Sequence, residues 1–167
     1  MVEVRVKEVK GLSRQSVWGS KGVADLTEEE RGIVWEFISF MDWVLKLREW
    51  FDRKVFVVDV KEGERYIVVS SEVMKVFLEG LRDRGFRFSE RGAKRLLRDV
   101  GLLWCGGEGR YQVSVLMEVR INGMVDRMWG VGYVVNLKKV LELAGWDLMR
   151  EREVVELPKV ELSEVPF

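Results

Sequence analysis

The chain has 167 residues, 47% of them hydrophobic and 34% charged, with 28 cations against 28 anions, one cysteine and no histidine. Such a composition excludes wholesale disorder, and the missing imidazole excludes Ser and Cys triads and the commonest zinc ligand. A lone Cys105 rules out an intrachain disulfide framework, and no apolar run reaches the roughly 18 residues of a membrane span, so a cytoplasmic protein without a membrane partner is expected.

Taken from the N-terminus, Val2, Val4 and Val6 alternate with Glu3, Arg5 and Lys7, the period-two pattern of a half-exposed strand. Residues 10–24 hold glycines and serines without periodicity and read as a loop. Thr27-Glu28-Glu29-Glu30 spells a capping box, which predicts a long amphipathic helix from Glu28 to about Asp52. Its apolar residues fall into two adjacent stripes, one through Val34, Phe37, Ile38, Met41, Val44, Leu45 and Phe51, the other through Ile33, Phe40, Trp43, Leu47 and Trp50. Together they cover about two thirds of the circumference, more than one core requires. Either the helix is buried on two sides, or Phe40, Trp43, Leu47 and Trp50 offer a surface to a second copy or a docking partner.

Val55–Val60 and Arg65–Val69 are β-branched runs joined by a turn at 61–64. Ser70 or Ser71 then caps a helix through Arg84 whose expected core face is Val73, Val76, Phe77 and Leu81. Gly85 suits the left-handed position after a helix, Phe86 and Phe88 anchor the turn, and Ser89 caps the next helix. That helix, SERGAKRLLRDVG, carries two opposed stripes: Arg91, Lys94, Arg95 and Arg98 on one face, Ala93, Leu96, Leu97 and Val100 on the other. After a glycine-rich corner, Tyr111–Ile121 reads as a strand, Asn122-Gly123 as a type I′ turn, and the return strand places Arg127 opposite Glu118. Asn136 caps a last helix that Gly145 stops. The expected division is a strand and long helix over 1–54, a central unit over 55–150 and an acidic extended tail over 151–167.

Charge is segregated although the total is zero. Residues 82–100 hold seven cations and three anions, a local +4, whereas the tail from Glu151 holds two cations and five anions. The order strand hairpin, helix, turn, basic helix, two-stranded ribbon resembles a winged helix–turn–helix domain, an α+β fold. Its Gly85-Phe86-Arg87-Phe88-Ser89 turn and Gly132-Tyr133-Val134-Val135 step are similar to those of winged-helix modules in primase and helicase replication proteins of archaeal plasmids and viruses. The scarcity of Asn, Gln and Thr, with abundant Val, Glu and Arg, likewise resembles a hyperthermophile proteome.

The resemblance implies a double-stranded DNA-binding protein of replication or transcription, without catalysis or cofactor. It implies that Arg91, Lys94 and Arg95 meet base edges, that Arg98 meets phosphate, and that Arg87 and Ser89 hold a backbone phosphate at the helix start. Arg120 and Arg127 then flank the tip of a wing. It leaves residues 1–54 without a role beyond pairing with another copy or a replication partner. A rival reading makes the domain a protein-interaction module, its arginines a solvated face. A third takes Asp59-Val60-Lys61 as half of a magnesium nuclease signature of the PD-(D/E)xK type, but the upstream acids, Asp42 and Asp52, fall on or at the end of the long helix. No P-loop or Gly-x-Gly-x-x-Gly occurs, and Cys105 beside Trp104 reads as a packed corner.

Overall fold

The computed structural model describes residues 2–10, 18–47, 54–59, 65–106, 109–145 and 161–163, and for 2–5, 56–59 and 161–163 the backbone alone. The elements are β1 (Val2–Lys10), a 3-10 turn (Val23–Asp25), α1 (Glu28–Lys46), β2 (Val55–Asp59), β3 (Arg65–Ser70), α2 (Ser71–Asp83), α3 (Glu90–Asp99), β4 (Gln112–Ile121), β5 (Met124–Asn136), α4 (Leu137–Ala144) and β6 (Glu161–Ser163). The fold is mixed α+β, and none of its described helices is long and apolar enough to cross a membrane.

Among the described residues one sheet runs in the order β2-β3-β5-β4-β1-β6. The β2–β3 pair has Val55 opposite Val69 and Asp59 opposite Arg65. The β4–β5 hairpin turns at Asn122 and Gly123, both at positive φ (50° and 80°) as a type I′ turn requires, and sets Glu118 opposite Arg127. β1 adds antiparallel to β4 with a bulge between Val6 and Glu8, and β6 adds parallel to β1. Within 151–167, then, Glu161–Ser163 lies against the sheet.

β3 is buried on both faces at Tyr66, Ile67, Val68 and Val69, and so reads as a continuous apolar run. Ile67 and Val69 face the larger core, made with α1, α2, α3 and α4; Phe37 of α1 meets Phe77 of α2 edge-on at 5.1 Å. Tyr66 and Val68 face a smaller core on the other side with Val6, Val9, Val113, Val115, Met117, Val134 and Trp104, against which Trp18 packs. β1 and α1 therefore belong to the same sheet and the same core as the elements after them.

Three expectations shift. α1 ends at Lys46 instead of running to Asp52, because Leu47 leaves helical geometry (φ −110°, ψ 21°); residues 48–53, including Trp50, Phe51 and Asp52, lie outside the described residues. Val76 is exposed, since α2 is rotated to bury Met74 and Leu78 beside Val73, Phe77 and Leu81. Within the 10–24 loop, the 3-10 turn supplies one short regular element.

Candidate nucleic-acid interface

Local rules build the region around α3. Ser70 caps α2 by accepting from the Val73 amide at 3.3 Å. α2 stops where Gly85 takes φ +86°, with its amide donating to the Arg82 carbonyl and the Phe86 amide to Leu81. Phe86 and Phe88 pack against the larger core, and the Arg82 guanidinium lies over the Phe88 ring at 5.4 Å. Ser89 caps α3 by accepting from the Gly92 amide at 2.9 Å. α3 buries Ala93, Leu96 and Leu97, and Val100 just after them, so its opposite side must face outward.

The four cations of that side differ in circumstance. Arg91 and Arg95 are exposed and have no carboxylate partner among the described residues. Lys94 is turned toward β5: its Nζ donates to the Tyr133 hydroxyl at 2.9 Å and sits 3.2 Å from Glu90, leaving the side chain only 16% exposed. Burial disfavours its charge, but the Tyr133 hydrogen bond and the Glu90 carboxylate outweigh that and hold the ammonium above its ordinary value. Arg98 is held by Asp99, its Nε and Nη2 donating to one carboxylate oxygen at 3.0 and 2.8 Å, which raises its pKa further. The segment before α1 also closes on this end of the helix. The Lys21 amide donates to the Asp99 carbonyl at 2.9 Å, and a Cβ at Gly19 would lie 2.2 Å from the Arg98 carbonyl oxygen, which glycine alone avoids.

At the other end of α3, Arg87 is exposed, and its amide donates to Glu29 of α1 at 3.1 Å, fixing the turn. Ser89 is exposed, and its hydroxyl, although accepting from Gly92, keeps its own proton free to donate. Arg87, Ser89, Arg91 and Arg95 therefore lie open along the turn before α3 and the helix as far as its sixth residue, while Lys94 and Arg98 are engaged within the chain.

On the hairpin, Arg120 and Arg127 both turn to Glu118. Arg120 donates from Nε at 3.1 Å, Arg127 Nε stands 4.0 Å away, and Lys7 Nζ approaches at 3.8 Å. Glu118 is itself nearly buried, so this carboxylate gathers three cations on one sheet face. Sequence spacing identified the Glu118–Arg127 pair but not Lys7, because the pairing of β1 with β4 is non-local.

Of the expected interface residues on α1, Phe40 is half-buried against Phe77 (5.4 Å between ring centroids), Leu47 is half-buried, and Trp43 is 47% exposed. Trp35, on neither predicted stripe, is equally exposed. Of the nuclease candidates, Asp59 ends β2 opposite Arg65, Asp42 pairs with Lys46 at 3.2 Å, and Lys61 and Asp52 lie outside the described residues. Cys105 donates its thiol proton to the Gly106 carbonyl beside the buried Trp104. No family model, curated protein or solved structure matches the chain.

Proposed function

We propose that the protein binds double-stranded DNA without catalysis, as a winged helix–turn–helix module of replication or transcription, with α3 as its recognition helix. The observation that carries this reading is the pair Arg91 and Arg95, exposed side by side on a helix whose opposite face is fully committed to the core. A forked guanidinium suits guanine O6/N7 or a phosphate, and two on successive turns span neighbouring positions in a groove. Arg87 and the Ser89 hydroxyl meet a phosphate at the helix start.

The connectivity supports the same reading. Helix α1, the β2–β3 pair, helices α2 and α3 and hairpin β4–β5 follow one another, with β3 beside β5 as the strand before the helix pair lies in a winged helix; β2 is an additional strand. In this arrangement the β4–β5 hairpin is the wing, and Arg120 and Arg127 contribute less than α3 because Glu118 already draws on them. Lys94 and Arg98 have positioning roles: Lys94 ties α3 to β5, and Arg98 holds the corner after the helix.

Electrophoretic mobility shift with mixed-sequence duplex at low salt tests the reading. The wild type retards the duplex and the R91A/R95A variant does not. Equal retardation by both removes α3 from the interface. A rival reading, a module that binds protein alone, is favoured by the exposed Trp35 and Trp43 of α1 and by the internal pairing of Lys94 and Arg98. It expects no retardation by either protein.

A further inference from the structure

β5 is thirteen residues long, but β3 covers its outer edge only from Gly132 to Asn136, because the chain leaves β3 at Ser70 to enter α2. From Met124 to Val131 no strand lies beside that edge among the described residues. The side chains there are large, apolar and open: Met124 is 77% exposed, and Val125, Met128, Trp129 and Val131 lie between 42% and 55%. Open edges are normally blunted by charged side chains, lysine above all, by proline or by a bulge, and the charges here are Asp126 and Arg127 alone. Met124–Val131, MVDRMWGV, contains no lysine or proline, and its pairing to β4 is unbroken.

We propose that this edge pairs two copies of the chain, antiparallel, about a two-fold axis at Met128. A two-fold axis across an antiparallel pair keeps every residue on its own sheet face, so the numbers of opposed residues must sum to an even value. An axis at Arg127 sets two guanidinium groups directly opposite each other, which is unfavourable. An axis at Met128 sets Met128 against its own counterpart, Val125 against the partner's Val131, Arg127 against the partner's Trp129, and Asp126 against the partner's Gly130. No like charges then face each other, and each Arg127, 70% exposed and only loosely held by Glu118, gains an indole face. Lys10 already lies over the Trp129 ring at 4.5 Å, so the ring accepts a cation on at least one side.

The available length agrees with this register. β3 sits so close to β5 at Gly132 that a Cβ there would lie 2.8 Å from the Val69 carbonyl oxygen, so the free edge stops at Val131. The overlap from Val125 to Val131 uses the edge up to that limit on both copies. The inference stands on this edge and leaves α3 untouched; it withdraws Arg127 from the wing contacts of the nucleic-acid reading for the interface, and Arg120, one strand inward, remains with the hairpin.

Light scattering on the full chain at high micromolar concentration, with cysteine cross-linking, tests it. The wild type reads twice 19.5 kDa, and M128K, which sets two ammonium groups at the axis, reads 19.5 kDa. In a C105S background, mild oxidation links M128C to itself and links V125C to V131C, whereas V125C alone stays unlinked, since only opposed residues bring Cα atoms within disulfide reach. If M128K fails to fold, the cysteine pattern decides. A monomeric wild type, a dimer that survives M128K as the exposed α1 face would give, or self-linking of V125C without M128C overturns the proposal.

Discussion

Lys94 Nζ donates to the Tyr133 hydroxyl at 2.9 Å, joining the middle of α3 to β5, and the same hydroxyl is met by Gln112 Nε2 at 3.3 Å. One cation of the basic face is thereby a fastener for the sheet. K94A should lower stability by about 1–2 kcal/mol, the usual effect of losing a charge-assisted, partly buried hydrogen bond. Its duplex affinity should fall far less than that of R91A or R95A, each expected to lose roughly tenfold, about 1.4 kcal/mol. Urea denaturation and fluorescence anisotropy on the same three variants check the split.

Glu118 makes a separate prediction for the hairpin. It draws Lys7, Arg120 and Arg127 together from a nearly buried position. E118Q removes the charge with little change in shape. It should weaken the hairpin yet strengthen duplex binding if the hairpin reaches DNA, read as higher anisotropy affinity in folded protein. Unchanged affinity limits the interface to α3 and its turn.

Residues on α1 should divide sharply by depth. Phe37 is fully buried against Phe77, so F37A should cost about 3–5 kcal/mol in denaturant unfolding. W43A removes a half-exposed ring that leans on Phe40 at 5.8 Å and should cost about 1 kcal/mol, well below F37A. A large loss in W43A would place that ring in the core.

The capping box at the start of α1 carries a pH signature. Hydrogen bonds from the Thr27 backbone amide first, and its side chain second, hold the Glu30 carboxyl below its usual value. A carboxyl lowered by folding stabilises the fold above its unfolded value, about 4.3, and loses that effect as pH falls through the folded value. The advantage of wild type over E30Q in melting temperature should therefore be present at pH 7 and shrink toward zero as acid is added. An advantage that grows in acid contradicts the assignment. T27A should cost about 1 kcal/mol at pH 7.

Much of this chain was legible because its signals are local. Thr27 with Glu30, Ser70, Ser89 and Asn136 cap their helices as their spacing implies, and Asn122-Gly123 alone sets the register that opposes Glu118 to Arg127. What periodicity hid is long-range. The seating of Lys94 on Tyr133 depends on a residue 39 positions away, and the four cations at one spacing proved to be two outward-facing and two internally held. Gly19 against Arg98, and β1 beside β4, join segments about 80 or more residues apart that no window reveals. Val76 was misplaced because the three-and-four stripe that α2 buries runs through Met74, Phe77, Leu78 and Leu81, turned toward Met74 and Leu78 and away from Val76. The exposure of Trp35 went unseen because neither apolar stripe includes it.

The most direct test is the salt dependence of duplex affinity for wild type and for R91A/R95A, measured by fluorescence anisotropy. Three to four phosphate contacts through Arg87, Arg91, Arg95 and the hairpin give a log–log slope of roughly −3 to −4, and the double variant flattens it by about 2. No binding at low salt, or parallel slopes for the two proteins, would contradict the placement of α3 on DNA.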